Sequence, residues 1–142
     1  MMRNQNKFLI LLALVIPLLW GCPAKIIEQK KEDLVIKLIT SNIWLMDNFY
    51  EGTTNLTTDF AAYEFKFNED GSVYGMRTGL PNAVGTWTAS AATMTIQSNF
   101  PTETGILKKL NGTFTITNSS LSDVSAHRFE GTVELKLHLI KK

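Results

Sequence analysis

Between Thr132 and Leu139 the apolar side chains Val133, Leu135, Leu137 and Leu139 alternate with Thr132, Glu134, Lys136 and His138. A period of two predicts a half-buried antiparallel strand. Tyr63, Phe65 and Phe67 alternate with Glu64 and Lys66 in the same way, and Asn68-Glu69-Asp70-Gly71 then supplies a turn whose glycine can take positive φ. The return strand runs from Ser72 to Arg77, and Gly79-Leu80-Pro81-Asn82 reverses the chain again. Further strands are predicted over Val84–Ala89, Thr93–Ser98, Thr113–Thr117 and Val124–Phe129, with Phe100–Gly105 a loop around Pro101. With Trp44–Tyr50 at the front, eight strands result. Short strands at such even spacing indicate a sandwich or a barrel, and no helical interval long enough for a parallel crossover separates any two. An open meander would leave two bare edges, so an all-β, eight-stranded, antiparallel up-and-down barrel is the expected fold.

Ahead of Ser41 the period differs. Ile27, Leu34, Val35, Leu38 and Ile39 suit one face of a short helix, read as Glu32–Thr40, while the charged stretch Pro23–Asp33 reads as a solvated tether. Further upstream, Arg3 and Lys7 precede an apolar run from Phe8 to Leu19, and Gly21 offers a small residue for cleavage, the layout of a secretory signal. The run is shorter than the roughly 20 apolar residues of a spanning helix. It ends at Cys22, the only cysteine of the chain. Leu19-Trp20-Gly21-Cys22 resembles the lipobox of bacterial lipoproteins, which implies acylation of Cys22 with palmitate-type chains and removal of residues 1–21. Two or three such chains hold a protein on a bilayer where one holds marginally. Pro23 rather than an aspartate follows the cysteine, which favours the bacterial outer membrane; the side it faces stays open. Three segments follow: signal peptide 1–21, tether and helix 22–41, and barrel domain 42–142.

Removing residues 1–21, which hold two of the 14 Lys and Arg and none of the 13 Asp and Glu, leaves 121 residues with 12 basic against 13 acidic side chains. That near-neutral body has the length of one domain and no basic face for a nucleic acid partner. One cysteine allows no internal disulfide.

Trp44, Phe49-Tyr50, Thr57-Thr58-Asp59-Phe60, Tyr63-Glu64-Phe65-Lys66-Phe67, Asn68-Glu69-Asp70-Gly71 and Gly85-Thr86-Trp87 together resemble the lipocalin-like lipoproteins common in Bacteroidetes-type bacteria. The resemblance covers about residues 42–140. It implies an eight-stranded calyx on a lipid anchor with room for a small molecule. Asn42 stands where the lipocalin signature has a glycine, two places before Trp44, and Gly85-Thr86-Trp87 carries that spelling on a middle strand.

An eight-stranded barrel is either filled by its own side chains or holds one small ligand. Trp44, Tyr63, Phe65, Phe67, Trp87 and Phe114 are large enough to fill it; were a pocket left, Trp44, Phe65 and Trp87 would line it. Catalytic chemistry finds little support. His127 and His138 lie eleven apart with no HExxH motif, and no Gly-x-Ser-x-Gly elbow occurs, so neither an enzyme nor a cofactor or metal is expected. Asp47, Glu51 and Asp59 lack calcium-loop spacing, and His138 reads as a solvated side chain. Asn55, Asn111 and Asn118, each in an Asn-x-Ser/Thr triplet, read as turn residues. Two functions follow: a module holding a small apolar or amphipathic molecule in the barrel, or a filled barrel whose outside meets a protein or glycan.

Overall fold

The computed structural model describes residues 23–142; the signal segment and Cys22 lie outside the described residues. Helix α1 runs from Pro23 to Thr40, starting nine residues before the expected Glu32 and taking in the stretch read as a tether. The reason is local. Ala24, Lys25, Glu28, Gln29, Lys30, Lys31 and Glu32 all rank among the good helix formers, and proline is accepted in a first turn. Ile39 and Thr40 are buried and Val35 and Ile36 pack on the core, whereas Leu34, assigned to the same face from its spacing, is 68% exposed. The last turns meet the barrel, where the buried register is 35, 36 and 39.

A helix end leaves four carbonyls without helical partners, and here the barrel and its approach satisfy all of them. Ser41 N–H donates to Lys37 O at 3.0 Å, Asn42 Nδ2 to Leu38 O at 2.8 Å, and Trp44 Nε1 to Ile39 O at 2.9 Å. Lys66 Nζ, from the neighbouring strand, donates to Thr40 O, bringing a cation to the negative end of the helix dipole. Asn42 therefore does work that a glycine could not.

The strands are β1 (Ile43–Glu51), β2 (Thr54–Asn55), β3 (Glu64–Phe67), β4 (Ser72–Met76), β5 (Ala83–Ser90), β6 (Thr95–Asn99), β7 (Gly112–Ser119), β8 (Asp123–Glu130) and β9 (Val133–Lys141). Two-residue β2 only extends β1 as a hairpin. The other eight form a closed antiparallel up-and-down barrel, sealed where β1 pairs with β9 from Trp44↔Lys141 to Glu51↔Leu135. All eight predicted strands are present. Gly71 takes φ +82° in the β3–β4 turn, where Asp70 Oδ1 accepts from Ser72 N–H at 2.9 Å and Ser72 Oγ at 2.6 Å. Those bonds to the charged form hold the Asp70 carboxyl below its ordinary range. Leu135, Leu137 and Leu139 point inward as their alternation predicts, but Val133, at the strand's first position, is 41% exposed.

Both ends of the barrel are stoppered. At the helix end sit Ile39, Trp44 and Trp87, whose indole donates to Asn68 O at 2.9 Å. At the far end a 3-10 turn over Thr57–Phe60 inserts Phe60, 4.8 Å from the Phe49 ring centroid, and a second over Ile106–Leu110 inserts Leu107 and Leu110 beside Phe100. The second turn follows directly on the segment read as a loop. Phe100 lies so close to β5 that a Cβ on Gly85 would fall 2.9 Å from its ring and 2.5 Å from Asn99 O; only glycine fits there.

Trp44→Phe keeps an aromatic ring but removes the indole N–H and part of the buried ring volume, leaving Ile39 O without its donor. The expected loss is about 1–3 kcal/mol, read as a lower urea midpoint at unchanged slope; an unchanged midpoint would show that the indole bond contributes nothing.

Candidate functional site

The aromatic set forms the core. Trp44, Phe65, Phe67, Trp87 and Phe114 are all buried, and Tyr63 packs partly buried against them with the Arg77 guanidinium 4.8 Å over its ring. Among the described residues the interior holds a cavity of about 40 Å³, lined by residues including Met46, Phe65, Phe67, Phe114 and Leu137. Ser98 is the one hydroxyl on its wall and is engaged, donating to Leu110 O at 2.6 Å. Such a space holds a water or so, against about 300–1,000 Å³ for small-molecule sites. Of the three residues named as lining, Phe65 faces this cavity; Trp44 and Trp87 do not, their indoles being committed at the helix end. Cys22 lies outside the described residues.

One cation also turns inward. Arg128 shares the inward register of Val124 and Ala126, stands 5.2 Å over the Phe114 ring, and donates through Nη2 to Lys109 O at 3.2 Å. It stitches the second 3-10 turn to β8, and its Nε is buried without a partner among the described residues.

The outer face of β7, β8, β9 and β1 carries a different feature, an open groove of about 310 Å³. Its floor is set by strand register. Ser125 lies opposite His138 and His127 opposite Lys136, so the hairpin brings two histidines eleven apart in sequence onto one face. A β-bulge flanks this pair of strands on each side: one in β1 between Met46 and Asn48, the other in β7 between Ile116 and Asn118. Bulges re-aim side chains. Here the first turns Asp47 toward His138, and Asn48 and Thr117 beside the bulges become the rims.

Within the groove the charged groups hold one another. His127 Nδ1–H donates to Glu134 Oε1 at 2.7 Å, and Lys136 Nζ lies 3.0 Å from Glu134 Oε2. His138 is half-buried rather than freely solvated: Nδ1 bonds Asp47 Oδ2 at 2.9 Å and Nε2 stands 3.8 Å from Asp123 Oδ1. Asp47 also accepts from Asn48 Nδ2 at 2.7 Å, and Tyr50 Oη accepts from Asn55 Nδ2 at 3.2 Å. Asp47 and Glu51 part company, since Glu51 pairs with Lys109 at 2.8 Å. Among the described residues no three His, Cys, Asp or Glu side chains group as a metal site. Two of the triplet asparagines serve local structure, Asn55 Oδ1 accepting from Thr57 N–H at 2.9 Å and Asn111 Oδ1 from Phe100 N–H at 2.7 Å, whereas Asn118, read as a turn residue, lies within β7 beside its bulge.

No protein-family model and none of the curated proteins matches the chain. Among solved structures it is similar to a DUF4847 family protein from Bacteroides vulgatus ATCC 8482, with a TM-score of 0.52 and 17% identity over 72% of this chain and 95% of that one. At that identity the likeness is one of barrel fold alone.

The hydrogen bond from His127, and after it that of Lys136, holds the Glu134 carboxyl below its ordinary value of 4.5. Its contribution to stability is therefore complete above pH 4.5 and is lost as the pH falls through the lower folded value. Carboxyl-carbon NMR should give a Glu134 midpoint below 4.5, moving upward in His127→Phe; a midpoint indifferent to that change would refute the pairing.

Proposed function

We propose that this protein is a lipid-anchored component of the bacterial outer membrane, a solid barrel that acts through its outer surface as an interaction or structural module. The observation that carries the outer-surface reading is the interior: a cavity of about 40 Å³ with both ends closed by Trp44, Phe60, Phe100 and the Leu107 turn. A carried apolar molecule of ordinary size would need those stoppers withdrawn and several core aromatics turned aside, and close-packed cores resist both. In place of a cargo, the barrel offers polar surface organised by strand register. The reading is of a binding or structural part rather than an enzyme, with a protein or glycan as its partner and no nucleic acid.

The anchor rests on the sequence: the charged start, the apolar run and the Leu19-Trp20-Gly21-Cys22 ending that resembles a lipobox. Helix α1 follows immediately from Pro23, so an acylated Cys22 would connect to the barrel through helix rather than through loose chain. The likeness to the lipocalin-like lipoproteins supports the same reading, with the ligand-carrying role set aside.

Native mass spectrometry of the protein purified from its own host membranes tests both halves. The expected spectrum is that of a chain beginning at Cys22 and carrying acyl mass on that residue, with no further adduct after gentle release. A reproducible small-molecule adduct would refute the filled-barrel reading and restore the carrier role. An intact residue 1–21 segment, or Cys22 without acyl mass, would refute the anchor.

A further inference from the structure

We propose that the outer groove of β7, β8, β9 and β1 binds a neutral oligosaccharide, an inference that rests on the reading of the barrel as acting through its outside. Glu134 and Lys136 are the only formally charged side chains on the groove wall, and they pair with each other at 3.0 Å. Asp47 and Asp123 stand behind, turned to the two sides of His138. The wall therefore offers no unpaired cation to draw an anion, but a dense set of hydrogen-bonding groups: the Asn48 amide, the hydroxyls of Tyr50, Thr117 and Ser125, and two imidazoles. Hydroxyls that both donate and accept are the natural complement of such a wall.

Each imidazole has Nδ1 tied to a carboxylate, His127 to Glu134 and His138 to Asp47, so neither ring is free to turn. Tyr50 is held by Asn55, and the bulges in β1 and β7 fix the rims. A site whose polar groups are locked before binding loses little freedom on binding.

Apolar surface completes the match. A pyranose has apolar C–H faces as well as hydroxyl edges. Phe129, opposite Glu134 in register and edge-on to the groove residue His127 at 5.7 Å, is 62% exposed just outside the groove wall. With Tyr50 across the β1–β9 seam it offers the aromatic surface against which such a face packs. The groove's volume of about 310 Å³ and its openness to solvent suit a few sugar units of a longer chain better than an enclosed small molecule.

The chain has only two histidines, and both line the groove, so their imidazole NMR signals are direct reporters. The test is titration of the full chain, in a zwitterionic detergent free of sugar, with neutral gluco-, manno-, galacto- and xylo-oligosaccharides. At least one should shift both imidazoles saturably. Phe129→Ala, at an exposed position, should weaken that binding about five- to tenfold, as should Ser125→Ala to a lesser degree, whereas Leu80→Ala, outside the groove, should leave it unchanged. Silence of both imidazoles throughout the panel would overturn the proposal. So would a response confined to anionic sugars or to an extended peptide, or binding that Phe129→Ala and Ser125→Ala leave intact. These outcomes stand apart from the mass spectrum: a molecule retained inside the barrel refutes the outer-surface reading, whereas silent histidines refute the sugar alone.

Discussion

The pairing of β1 with β9 governs the molecule. Eight strands of this length form a barrel only if the first finds the last, and here the seam runs along nearly all of both strands. Everything of interest crosses it. The bulge that turns Asp47 outward lies on one side of the seam and His138 on the other, so their hydrogen bond exists only because the barrel is closed. On the inside, Trp44, Met46 and Phe49 of β1 meet Leu135, Leu137 and Leu139 of β9 in one core. Sealing the sheet and filling its interior are thus one event. Opening the seam would expose two edges and also expose that core to water.

The filling follows from size. An eight-stranded tube has little interior to begin with, and this one receives aromatics from β1, β3, β5 and β7, with Phe60 and Phe100 added at the far end. The end pieces come from outside the strands: Phe60 and the Leu107–Leu110 pair ride on 3-10 turns, and Ile39 arrives at the tip of the helix. Arg128, reaching from β8 to the carbonyl of Lys109, ties one of those pieces to the wall. Chemistry left over for recognition is consequently on the outside, where alternation puts Glu134, Lys136 and His138 opposite the leucines that build the core.

Much of this was legible in the residues, for identifiable reasons. Strands with one buried face advertise themselves by a period of two, so all eight were readable, and the Asn68–Gly71 turn was spelled by residues that do little else. The start of α1 was not, because Pro23–Asp33 lacks an apolar stripe and only its helix-forming composition marks it. The second stopper could have been suspected from Ile106, Leu107 and Leu110, whose spacing of one and three is helical, but a single turn gives too short a window. The groove was hidden for a different reason. His127 and His138 are distant in sequence, and only the register of the last hairpin, with Glu130 facing Val133, reveals that they share a face. Both bulges were invisible, since one extra residue in a strand leaves the alternation readable on either side of it.

One consequence of the way α1 ends concerns mechanics. A helix normally leaves its last turn frayed, and a domain hung from it swivels. Here four successive carbonyls are taken up by Ser41, Asn42, Trp44 and Lys66, so the joint is stiff in tilt and in twist. Eighteen residues at about 1.5 Å each make a rod of roughly 27 Å. The heading of that rod relative to the barrel, and to every feature on the barrel's surface, is therefore fixed by the four bonds at its root.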